Sequence, residues 1–143
     1  MTDRDELAQL ASKLGLLVDA REWTSVQELF CDAIDVDYTS LSGGEPQRLA
    51  PAELVEGWKA NLESLRATQH LIANHVVTLD GDEARIATNV TATHISPDDS
   101  DAHWVVGGRY DMVARRTSAG WRIAALTLTV SWMTGSQEIM GGG

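Results

Sequence analysis

After Arg66 the spacing of apolar residues changes from three-and-four to two, and it holds at two almost to the end of the chain. Thr68 to Leu79, Ala84 to Ile95, His103 to Arg115 and Trp121 to Met133 alternate as four long strands. Asp80-Gly81-Asp82, Pro97-Asp98-Asp99 and Ser118-Ala119-Gly120 join them. Connections this short return each strand beside its predecessor, so these residues must form an antiparallel meander.

Before Arg66 the chain reads differently. From Asp5 to Val18, Leu7, Leu10, Ala11, Leu14, Leu17 and Val18 recur at helical spacing. Leu16 and Ala20 add other faces, which predicts that the end of this helix is buried nearly all round. A second, short helix carries Trp23, Val26, Leu29 and Phe30, with Asp19-Ala20-Arg21-Glu22 as a D-x-x-E cap at its start. Ala33 to Leu41 alternates as a strand and runs into a Gly43-Gly44-Glu45-Pro46 turn. A third helix starts at Pro51 and continues through Leu54, Val55, Trp58, Leu62 and Leu65. Helices first and a meander afterwards is an α+β pattern, with the N-terminal helices packed on a strongly curved antiparallel sheet.

The 143 residues form one domain, residues 1-143, and 43% of them are hydrophobic, enough for a single core. Twenty-one acidic residues against eleven basic ones give a net charge of -10, which repels phosphate backbones and anionic lipid. Nucleic acid and membrane surfaces are therefore not expected as partners. Met1-Thr2-Asp3-Arg4-Asp5-Glu6 lacks the basic and then apolar run of a signal peptide, and no stretch reaches the roughly 18 apolar residues of a spanning helix, so a cytoplasmic location is expected. Cys31 is a reduced residue at the core edge beside Phe30, and Gly141-Gly142-Gly143 reads as a frayed end.

The strand faces single out polar residues among apolar ones. Tyr38 shares a face with Ile34 and Val36. His94 shares one with Ile86, Val90 and Ala92, and Tyr110 one with Trp104, Val106 and Met112, where Gly107-Gly108 removes bulk. His70 and Asn74 lie on one partly apolar face with Ile72, and His75 on the opposite side. In the last strand Leu126, Leu128, Val130 and Trp132 make one apolar face, while Ile123, Ala125, Thr127, Thr129 and Met133 make a second without charge. Leu71, Ala73, Val77 and Leu79 oppose Ile72 and Val76 in the first long strand. Strands without a charged face are covered on both sides, which predicts a homodimer through the outer sheet face.

Val18-Asp19-Ala20-Arg21-Glu22-Trp23, Val36-Asp37-Tyr38, Gln69-His70-Leu71-Ile72-Ala73-Asn74-His75, Gly107-Gly108-Arg109-Tyr110 and Gly120-Trp121-Arg122-Ile123 resemble the SnoaL-like branch of the NTF2-like superfamily over nearly the whole chain. The resemblance implies a cone-shaped, cystatin-like α+β barrel around an apolar pocket. Its nearest likeness is to the scytalone dehydratase, bile-acid dehydratase and hexachlorocyclohexane dehydrochlorinase group. There an aspartate after the first helix pairs with a histidine on the first long strand, and the matching positions are Asp19 and His70. Tyr38 and His94 correspond to groups that assist at the substrate oxygens in scytalone dehydratase. The tyrosine preceding the aspartate in that enzyme is Val18 here, with Tyr110 as the candidate in its stead. Tyr110, Asn74, Trp23 and Val106 are expected to line the pocket.

An aspartate that accepts the Nδ1 proton of His70 would fix its tautomer, leave Nε2 free and stabilise the imidazolium after proton transfer. Tyr38 or His94 would donate a hydrogen bond where negative charge develops, or protonate a departing hydroxyl. The expected function is a cofactor-independent lyase acting on a small, mostly apolar cyclic molecule with carbonyl or hydroxyl groups. A ketosteroid-isomerase-like or polyketide-cyclase-like enzyme would use the same base, and a non-catalytic binding or assembly domain would use only the pocket. No H-x-H or H-E-x-x-H spacing points to a metal, and the resemblance implies no cofactor.

Overall fold

The computed structural model describes residues 1–98 and 100–140. Asp99, in the turn expected at Pro97-Asp98-Asp99, and the Gly141-Gly142-Gly143 end lie outside the described residues.

Thr2 and Asp5 cap the first helix reciprocally, each side chain accepting from the other's main-chain N–H. This helix, α1 (Asp3–Asp19), buries Leu7, Leu10, Ala11, Leu14 and Val18 along one stripe. Leu16 and Ala20 are exposed, so the expectation of all-round burial at its end is corrected: only one face meets the sheet. Asp19 does not cap the next helix, α2 (Trp23–Gln27), because Glu22 occupies that position and no side-chain cap is made. Leu29 and Phe30 fall beyond α2, and Phe30 opens β1 (Phe30–Asp37), which ends before Tyr38 rather than at Leu41. A single turn, α3 (Thr39–Ser42), and a short strand that periodicity does not reveal, β2 (Gln47–Leu49), precede α4 (Pro51–Leu62). Arg21, with φ of 58°, donates from its guanidinium to the carbonyls of Leu62, Glu63 and Leu65, tying the end of α1 to the end of α4.

The expected meander follows as β3 (Ala67–Asp80), β4 (Glu83–Ile95), β5 (His103–Thr117) and β6 (Gly120–Gly135), each antiparallel to the one before. A 3-10 turn, Gln137–Ile139, lies just before Met140, the last described residue. The sheet order is β2-β1-β6-β5-β4-β3, and β1 runs parallel to β6. The sheet is therefore mixed and open, with β2 and β3 as unjoined edges. It neither closes nor curls strongly, which corrects the expected cone-shaped barrel with a strongly curved antiparallel sheet. The far wall of the cavity is supplied by α1, α3, α4 and the C-terminal turn, so the sheet need not roll onto itself to enclose space.

Bulges reset which residues point inward. Between Ala73 and Val76 the β3–β4 register shifts, with Asn74 in the left-handed region at φ 61°. Beyond it the inward set becomes His75, Val77 and Leu79, while Asn74 and Val76 are exposed. His75 consequently faces α1, where its Nε2 lies 3.1 Å from the Ser12 hydroxyl, instead of pointing away. A second shift, at Val113–Ala114 against Ile123–Ala125, turns Ile123 into the core. A third, at Gly107–Gly108 against Val130–Trp132, moves Trp132 off the face of Leu128 and Val130 and lays its ring over Gly107.

Candidate active site

The core side of the sheet borders a cavity of about 770 Å³. Its walls are mainly apolar, with Leu14 and Val18 from α1, Trp58 from α4, and Val90, Ala92 and Leu128 from the sheet. Four polar groups named from sequence open onto it, His70, His94, Tyr38 and Tyr110, and Val106 is also at its wall.

Asp19, the last residue of α1, reaches across to the edge strand β3. Its Oδ1 lies 2.7 Å from His70 Nδ1, and its Oδ2 accepts the His70 main-chain N–H at 2.7 Å. The Thr68 hydroxyl donates to Oδ1 at 3.0 Å. Burial alone would raise the Asp19 carboxyl, but the two bonds from His70, its charge and the Thr68 hydroxyl outweigh burial and hold it below the usual carboxylate value. An ionised Asp19 requires a proton at His70 Nδ1, and in the neutral imidazole this makes Nε2 the nitrogen without one.

His94 is buried with its ring stacked on Trp104, centroids 4.9 Å apart, and edge-on to His70 at 6.0 Å. Its Nδ1 donates to the Trp104 carbonyl at 2.9 Å. Burial pushes its pKa below the usual value, with the neighbouring His70 adding to the effect against the opposing Trp104 carbonyl and Asp19. A neutral imidazole with its only proton on Nδ1 accepts at Nε2 and has none to give there. The expectation that His94 donates to, or protonates, a substrate oxygen is thus corrected.

The Tyr38 and Tyr110 hydroxyls are 3.2 Å apart. One donates to the other, so the pair keeps one phenolic proton for a ligand. Burial raises both pKa values, that of Tyr38 well above the ordinary range with the Tyr110 hydroxyl contributing, and both remain neutral donors.

Two expected pocket residues lie elsewhere. Asn74 is exposed on the bulge, its Oδ1 accepting from Asn89 Nδ2 at 3.1 Å. Trp23 packs against the core outside the cavity, with its Nε1 buried and unpaired. Sequence reasoning missed Thr68, although it lies two residues before His70 and so on the same strand face, and Trp58, whose helical spacing from Leu54 and Leu62 pointed to core. Cys31 is half-buried, its thiol raised by burial and directed at the Arg122 carbonyl. Among the described residues no group of three or more His, Cys, Asp or Glu side chains could hold a metal ion, and no helix is long and apolar enough to cross a membrane.

The crystal structure of the Kfla4162 protein from Kribbella flavida is similar over 92% of this chain and 93% of its own, at 31% identity and a TM-score of 0.87. A proposed scytalone dehydratase from Novosphingobium aromaticivorans covers 96% and 93% at 20% identity and a TM-score of 0.74. A hexachlorocyclohexane dehydrochlorinase, type 2, covers 94% and 93% at 16% identity and a TM-score of 0.75. At these last two identities the likeness is one of fold. No curated protein sequence matches the chain. The model of the SnoaL-like domain matches residues 1–127, and the chain belongs to this family of NTF2-like proteins.

Proposed function

We propose that the protein is a lyase that removes water, or a comparable leaving group, from a neutral cyclic molecule, with Asp19 and His70 as its general base. The observation that carries this reading is the 2.7 Å contact between Asp19 Oδ1 and His70 Nδ1 at the wall of an open cavity. A binding module would leave Asp19 as a surface cap and would have no use for an oriented, unprotonated imidazole nitrogen.

In the proposed step His70 Nε2 takes a proton from the carbon beside a carbonyl, and the electron pair moves onto the carbonyl oxygen. The free hydroxyl proton of the Tyr38–Tyr110 pair stabilises the enolate that results. The pair of electrons then returns to form the carbon–carbon double bond as the β-hydroxyl departs, protonated by the His70 imidazolium, so that base and acid are the same residue. His94 Nε2 accepts a hydrogen bond from a hydroxyl of the substrate. Among the described residues, those that line the cavity include no lysine or arginine and one carboxylate, the exposed Glu138. This composition favours uncharged ligands, since no lysine or arginine faces the charge of a permanently anionic one. Isomerisation or cyclisation would share the first half of the step.

The test is water loss from a panel of neutral cyclic β-hydroxy-ketones, followed by mass spectrometry, with the wild type and H70A. Turnover by the wild type alone supports the lyase; ligand binding with equal background loss in both proteins supports a binding module.

The outer sheet face carries Leu71, Val76 and Trp132 at 56%, 64% and 49% exposure. Pairing aligns Leu71, Thr91, Gly107 and Trp132 in one row across four strands. We propose that a second copy of the chain covers this uncharged row.

A further inference from the structure

Gly15 is the one residue of α1 whose identity local helix physics does not explain, because glycine inside a helix is destabilising. It is buried where α1 crosses the edge strand β3 at His70. A Cβ placed there would lie 2.8 Å from the His70 carbonyl oxygen, 3.3 Å from Ile72 Cδ1 and 3.5 Å from His70 Cβ. The first of these is main chain of β3, whose His70 N–H and C=O both face the open edge of the sheet towards α1, and it cannot swing aside as a side chain would. Asp19 follows Gly15 by four residues, one turn further along the same helix face.

We infer that Gly15 is the positioning residue of the Asp19–His70 pair: the missing side chain sets the depth at which α1 meets β3, and that depth places the carboxylate against Nδ1. The inference rests on the dyad reading. Both oxygens of Asp19 engage the same residue, Oδ2 at the His70 main chain and Oδ1 at its ring, each at 2.7 Å. To bring a Cβ at Gly15 out to ordinary contact at 3.4 Å the helix must withdraw by about 0.6 Å, which takes both 2.7 Å bonds to about 3.3 Å, past the range of a normal N–H···O bond. Gly57 in α4 supplies the contrast, since a Cβ there would meet nothing within 4 Å.

The experiment follows the His70 imidazole nitrogens by 15N NMR in the full chain for the wild type, G15A, G57A and D19N, with thermal melts to establish folding. The wild type and G57A are expected to hold the single Nδ1–H tautomer, and folded G15A is expected to lose it as D19N does. If D19N loses the tautomer while G15A keeps it, Gly15 has no positioning role and the dyad stands. If D19N also keeps it, the dyad reading itself fails. Should G15A not fold, G15A with I72V replaces it, because I72V removes the Cδ1 contact and leaves the carbonyl contact that the inference depends on. Retention of the wild-type tautomer in that folded double variant overturns the inference equally.

Discussion

Asp19 takes three donor contacts, and each favours its charged form. Its folded-state pKa lies below the value of 3.8 expected for an unfolded chain, so its contribution to stability is complete above that value and disappears as the pH falls through the folded-state pKa. Acid unfolding of D19N should lack this component of the pH dependence, which denaturant melts between neutral pH and the acid limb will measure. His94 behaves in the opposite chemical sense. Burial holds its pKa below 6.5, so on acidification the unfolded chain binds the proton first. Stability should therefore decline as the pH drops from about 6.5 towards the folded-state value and level off below it, and H94Q should flatten that region. Removing the base is a different matter from removing stability: H70A should lower turnover by roughly 100-fold or more, the range ascribed to general base catalysis, at an unchanged fold.

At the scale of elements, bulges decide what the strands present. Asn74 sits at φ 61°, a conformation that asparagine tolerates better than other side chains and glycine better still. N74A should cost about 1 kcal/mol in a urea melt, whereas N74G should be close to neutral. The meander was legible because period-two alternation and short turns leave one solution, and the first helix because its stripe is regular. The parallel pairing of β1 with β6 was not legible, since nothing local to Phe30–Asp37 names a partner ninety residues away. Each bulge also inverts the parity of everything after it, which is why His75 and Trp132 were placed on the wrong faces and Asn74 was drawn into the pocket. Asp19 had a complete local explanation as a cap, and only the family resemblance pointed it towards His70. Gly15 did leave a signal, an interior helix glycine, but its meaning needs the strand that crosses it.

For the whole molecule, an open mixed sheet with helices on one side leaves the other side bare. W132E should abolish self-association through that face if a second copy covers it, and light scattering on the wild type and variant will show whether the mass halves. The cavity should be selective by charge: 2-naphthol should bind more tightly than 2-naphthoate of the same ring size, as read by quenching of tryptophan emission with Trp58 and Trp104 at the wall. Each of these outcomes can fail without touching the chemistry. The claim at the centre is that His70, oriented by Asp19, removes a proton from carbon inside the cavity. Deuterium wash-in beside the carbonyl of neutral cyclic ketones in D2O, followed by NMR, isolates that step from whatever comes after it. The account predicts exchange with the wild type that falls to background in both H70A and D19N; equal exchange in all three proteins, with the ketone bound, would contradict it.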